Sequence, residues 1–207
     1  MKLIRVLASI VCVSFLFIQC ENKKSKRELK KNIVLSTSEE VNLKDTLKIG
    51  YTYWWPQSGP FIGNCGEKYS LVFLGTVDKI YNKTEQPHYT ARKGVIRVDE
   101  VLTSVEPTNG SYLEQNYVIS DCFADVDVKE GDSVIVFCYE YEGNYSTPGG
   151  KSILKIEDNN DPIVVSIKEY IQSKQNPLTI EKDIPLWKKY QLDTALKQLI
   201  SCRELYQ

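Results

Sequence analysis

The chain has 207 residues, 42% of them apolar, with 26 Lys and Arg against 27 Asp and Glu and a net charge of −1. Nothing in so near-neutral a balance favours nucleic acid, whose binding is carried by clustered Lys and Arg, while the apolar content is enough for one packed core. Thirteen Tyr and three Trp beside a single Met favour β structure.

Lys2 and Arg5 precede an apolar run over residues 6–18, and Cys20 stands where a densely charged stretch takes over. A basic start followed by some 7–15 apolar residues is the pattern of a secretory signal, too short to span a bilayer with ease. A cysteine at this junction resembles the lipobox of bacterial lipoproteins. The resemblance implies that residues 1–19 are a signal peptide that is removed, and that the thiol of Cys20 is acylated, leaving Cys20 as the lipid-bearing first residue. The alternative is an ordinary signal peptide, or an uncleaved anchor, with an incidental cysteine. Loss of residues 1–19 takes away Lys2 and Arg5 and no acid, so 24 basic residues face 27 acidic ones and the charge becomes −3. No later stretch approaches the roughly 20 apolar residues of a membrane helix, so attachment to a bilayer falls to the lipid at Cys20.

Residues 20–46 read as a flexible tether. Glu21, Lys23, Lys24, Lys26, Arg27, Glu28, Lys30 and Lys31 are too dense in charge to bury apolar surface. Flexible chain of that length spans about 30 Å, enough to lift a domain off a membrane. A basic run beside a lipid also suits anionic headgroups, with a solvated linker as the simpler account.

The following segment, 47–160, alternates and breaks like β structure. Leu47, Ile49, Tyr51, Tyr53 and Trp54 predict a first strand, ended by Pro56 and the Ser58-Gly59-Pro60 run. Residues 70–80 form a second, with Gly75 inside it marking a bulge or bend. Residues 90–103 form a third, broken across residues 107–110. Residues 117–120 and 132–141 follow, joined by a turn at Lys129-Glu130-Gly131-Asp132; residues 142–150 are a polar loop, and residues 152–156 make the last strand. Five or six strands in about 110 residues point to a small barrel or sandwich.

The period then becomes helical over 161–207, a C-terminal extension expected to pack on the barrel. Asp161-Pro162 is an N-cap followed by proline, with Ile163, Ile167, Tyr170 and Ile171 on one face. Leu192, Ala195, Leu196, Leu199 and Ile200 give a second amphipathic helix that ends near Cys202. With Cys12 in the signal and Cys20 assigned to lipid, Cys65, Cys122, Cys138 and Cys202 remain. An even number in an exported chain predicts two disulfides, with three connectivities open. Bridges closing loops of roughly 55 to 65 residues are worth about 4 kcal/mol each in the chain-entropy account.

The order Val72-Phe73-x-Gly75-x-Val77, then Val98-x-x-Val101-Leu102, then Cys122, then Gly131-x-x-Val134-Ile135-Val136-Phe137 resembles the OB-fold domain of netrin modules and tissue inhibitors of metalloproteinases. The resemblance covers roughly residues 65–156. It implies a mainly β chain with a five-stranded OB-like barrel, a bridge between Cys65 and Cys122, and with it one between Cys138 and Cys202. Those inhibitors chelate a protease zinc through a free N-terminal cysteine. Here Cys65 is internal, 45 residues beyond Cys20, so that device is not expected to come with the fold.

Other chemistry is sparse. Cys65 as a nucleophile with His88 as base defines a thiol-enzyme alternative, but the residues after Cys65 read as strand and His88 as an exposed loop tip. Asp121, Asp125, Asp127, Glu130 and Asp132 lack the loop pattern of a calcium site and read as a solvated turn. No metal or cofactor is expected. Tyr51, Tyr53, Trp54, Trp55 and Phe61 form the densest aromatic group: exposed, they suit a sugar or a protein partner; buried, they roof one end of the barrel. The sequence therefore predicts a lipid-anchored protein of the bacterial cell envelope, periplasmic or surface-facing, that binds a protein or glycan without catalysis. Inhibition or modulation of a protease through barrel loops is the second expectation.

Overall fold

A computed structural model describes residues 45–51, 57–63, 65–85 and 90–206. Seven strands and three α-helices follow one another: β1 (Thr46–Tyr51), β2 (Tyr69–Glu85), β3 (Thr90–Ser104), β4 (Tyr117–Ser120), β5 (Ser133–Tyr141), β6 (Asn144–Thr147), β7 (Ile153–Lys155), α1 (Pro162–Gln172), α2 (Ile184–Lys188) and α3 (Asp193–Leu205). The strands run β2-β3-β4-β1-β6-β5, and pairing of β5 back onto β2 closes them into an OB-like barrel. β7 is an extra strand paired, among the described residues, with β5.

The barrel has six strands where five were expected, because the run read as a polar loop contains β6. Tyr141 pairs with Asn144, so Glu142 and Gly143 are a two-residue hairpin turn. Both have positive φ, 50° and 75°, the geometry whose twist suits adjoining antiparallel strands. Tyr145 then points into the barrel and is 3% exposed. β1 lies between β4 and β6, parallel to both, and so fills the gap that would leave the barrel open.

Two cores share the wall formed by β2 and β5. Leu71 and Phe73 of β2 and Val134, Val136 and Cys138 of β5 fill the barrel with Ile49, Ile96, Val118 and Phe123. Their neighbours Val72, Leu74, Ile135, Phe137 and Tyr139 face the opposite way, onto the helices. Strand side chains alternate in direction, so a strand covered on both faces is apolar at successive positions, as residues 134–139 of β5 are. Gly75 sits at a register shift of β2 against β3. Gly94 is a close approach of a different kind: a Cβ there would fall 2.5 Å from the Phe123 ring.

Asp161 starts α1 as its sequence predicts. One carboxylate oxygen accepts from Ile163 N–H and the other from Glu157 N–H, both at 3.0 Å, and Pro162 occupies the first turn. Ile163, Val164, Ile167 and Tyr170 bury one face of this helix. After it, Gln175 clips the chain to the start of β2, accepting from Tyr69 N–H (2.9 Å) and donating to the Glu67 carbonyl (3.1 Å). A 3₁₀ segment (Pro177–Asp183) and α2 were not foreseen in a stretch bracketed by prolines. They seat Trp187, fully buried with its Nε1 donating to Ser166 Oγ at 3.0 Å. Burial of a large apolar side chain of this kind is worth roughly 3 kcal/mol.

Candidate binding site at the open edge of β7

The expected site residues divide sharply. Cys20, Tyr53, Trp54, Trp55 and His88 lie outside the described residues, and for Tyr51 only the backbone, at the end of β1, is described. Phe61 is no surface platform. It is 1% exposed, edge-on to Trp187 at 4.7 Å between ring centroids and to Tyr170 at 5.8 Å.

The cysteines correct the implied pairing: Cys65 is bonded to Cys202, not to Cys122, with Cα atoms 5.2 Å apart. Gly66 beside it packs near Tyr170 and Leu199, on the helix side of the sheet, whereas Cys122 belongs to the barrel interior, so the wall separates them. Cys138 also points inward, away from α3 and Cys202. Cys122 and Cys138 are free and buried. Burial pushes the Cys122 thiol up to about 12, against a lowering hydrogen bond from Thr147, and pushes Cys138 up as well.

Of the acidic group, Glu130 and Asp132 are engaged locally. Glu130 accepts from Ile80 N–H at 2.9 Å. Asp132 is paired with Lys155 Nζ at 2.8 Å and accepts from Lys129 N–H at 2.9 Å, contacts that hold its carboxyl below the usual range, Lys155 contributing most. Among the described residues no group of three or more His, Cys, Asp and Glu side chains gathers as a metal site.

What the sequence did not single out is the edge of β7. Two clefts, of about 590 and about 380 Å³, share Lys155, Lys189 and Tyr190 as walls. The larger is also lined by Asp132, Glu157, Asp161 and Leu186, the smaller by Asp125, Asp127, Lys151 and Ile153. Tyr190 is half-buried; its hydroxyl is pushed up by burial, then by Asp161 and Glu157. Ile156 N–H donates to Ser133 O at 3.0 Å, and Val134 stands opposite Lys155. Antiparallel ladders alternate between bonded and non-bonded pairs, so Lys155 is a non-bonded position and turns its N–H and C=O away from β5. The Ile153 carbonyl points the same way by the same alternation. Ile153 N–H, on that side too, is taken by the Gly150 carbonyl.

Among the described residues, these main-chain groups of the β7 edge have no strand partner and face the two clefts. No protein-family profile matches this sequence, and no curated protein matches it.

Proposed function

We propose that this chain is a lipid-anchored protein of the bacterial cell envelope whose barrel serves as a non-enzymatic binding module. The observation that carries the reading is the Cys65–Cys202 disulfide, since such bonds form and persist in exported chains and are rare in reducing compartments. It fits the sequence of its N-terminal part: a basic start, residues 6–18 apolar, and Cys20 at the junction with charged chain. The cysteine chemistry weighs against the thiol-enzyme alternative only. Cys65 has no thiolate while it is bonded, and the described free cysteines are buried and protonated at neutral pH. Kinship with netrin modules and metalloproteinase inhibitors is proposed for the barrel alone, not for their bridges or their zinc-chelating device.

The test is labelling of the growing bacterium with an alkyne analogue of palmitate. Label on the wild-type chain, absent from Cys20→Ser, is expected, with the wild type in the membrane fraction and the variant released from it. A wild-type chain that carries no label sinks the reading.

A further inference from the structure

We propose that the open edge of β7 accepts an extended, lysine- or arginine-bearing segment of a partner protein as an added strand. This deepens the binding-module reading and rests on it. Three main-chain groups there have no strand neighbour among the described residues: the N–H and C=O of Lys155 and the C=O of Ile153, by the alternation of the β5–β7 ladder. Unpaired edges of this kind are the template on which extended peptides are added to sheets, with the backbone supplying affinity and flanking side chains the selection. The smaller cleft is lined by residues 125–128 and 189–191 as well as by β7, and the larger continues past Lys155 to Glu157 and Asp161. The Tyr190 ring forms part of the wall of both.

Charge selects the occupant. Lys155 is neutralised by Asp132 at 2.8 Å. Lys151 Nζ is turned to the Gln191 carbonyl at 3.3 Å. Both carboxylate oxygens of Asp161 are committed to capping α1 and holding residue 157. Of the other charged walls, Asp125, Asp127 and Glu157 are exposed with no ion pair or side-chain hydrogen bond among the described residues, and Lys151, whose carbonyl partner is neutral, and Lys189 keep their positive charge. Taken together the two clefts are lined by five carboxylates, Asp125, Asp127, Asp132, Glu157 and Asp161, against three lysines, Lys151, Lys155 and Lys189, an excess of negative charge that comes from the larger cleft; it favours a basic segment over an acidic one.

The experiment uses the full-length acylated chain in detergent micelles at physiological salt, presented with a displayed library of random twelve-residue peptides. Enrichment of positively charged sequences with β-branched residues at alternate positions is expected. A synthetic representative should slow amide hydrogen exchange at Lys155, and N-methylation of every second residue should weaken it at least tenfold. Asp125→Lys with Asp127→Lys, both surface changes, should weaken it at least tenfold with an unchanged circular dichroism spectrum. No enrichment, enrichment of neutral or acidic sequences, or binding that leaves the Lys155 amide and the double variant unaffected overturns the proposal. Acylation is read by mass on the same preparation: its absence sinks the anchoring reading alone, whereas peptide binding mapped to another surface sinks only the β7 site.

Discussion

Cys65, in the loop ahead of β2, and Cys202, near the end of α3, are joined across 137 residues of sequence, so one bond fastens the last helix to the barrel wall. A crosslink of that span restricts the unfolded chain strongly, worth about 5 kcal/mol in the chain-entropy account and commonly less in practice. Cys65→Ser is expected to lower the urea-unfolding free energy by roughly 2–5 kcal/mol. Reduction of the wild type should give the same loss, and an unchanged midpoint after both would remove the bond from the account.

Cys122 and Cys138 behave differently because they are enclosed by the barrel. In the mature protein at pH 8, a thiol reagent is expected to find no reactive cysteine under native conditions and two after denaturation. Rapid labelling of the native protein would contradict the burial seen here.

Stability should fall on the alkaline side. Burial raises the folded pKa of both free thiols, and burial with neighbouring tyrosines raises those of Tyr69 and Tyr139, whose hydroxyls both donate to the Pro60 carbonyl at 2.7 and 2.8 Å. An acid whose folded pKa is raised contributes fully below its unfolded value, and that contribution is lost as pH rises, because the unfolded chain ionises first. Urea midpoints are expected to be level in this respect up to about pH 8.5, to decline as unfolded thiols ionise, and to fall more steeply from about pH 10. Cys138→Ala should flatten the first decline. A midpoint that rises between pH 9 and 11 would give the opposite sign.

Gly94 and Gly110 form a matched pair for packing. A side chain at Gly94 meets the Phe123 ring, while one at Gly110 meets nothing within 4 Å. Gly94→Ala is expected to cost about 1–3 kcal/mol through overpacking, and Gly110→Ala to stay within about 0.5 kcal/mol. Equal effects would mean that β3 does not press on Phe123.

Much of this architecture could be read from residue order. The alternation in 70–80 and 90–103, the turn at Lys129-Glu130-Gly131-Asp132 and the Asp161-Pro162 cap each act locally, and each carried its element. β6 was missed because its polar Asn144, Ser146 and Thr147 are held by pairing to β5 and β1, a long-range condition that composition does not carry. Glu142-Gly143 was the available signal, a dipeptide suited to a two-residue hairpin.

The site was less legible than the fold. Phe61 lies in a polar-looking, proline-rich stretch, and its burial depends on Trp187 and Tyr170, which arrive more than a hundred residues later. The bridge was misassigned although β5 held the clue: Cys138 shares its alternation with Val134 and Val136, which places it inside the barrel and out of reach of a C-terminal helix. Lys155 carried no sequence signal, since an unpaired edge is a property of what fails to lie beside it.

The intact mass of the protein purified from bacterial membranes, taken before and after reduction and alkylation, tests the central claim most directly. The account predicts a chain beginning at Cys20 with added acyl groups, two alkylated cysteines before reduction of the denatured protein and four after it. A chain that carries no acyl mass, or one in which Cys65 and Cys202 are alkylated without reduction, would contradict it.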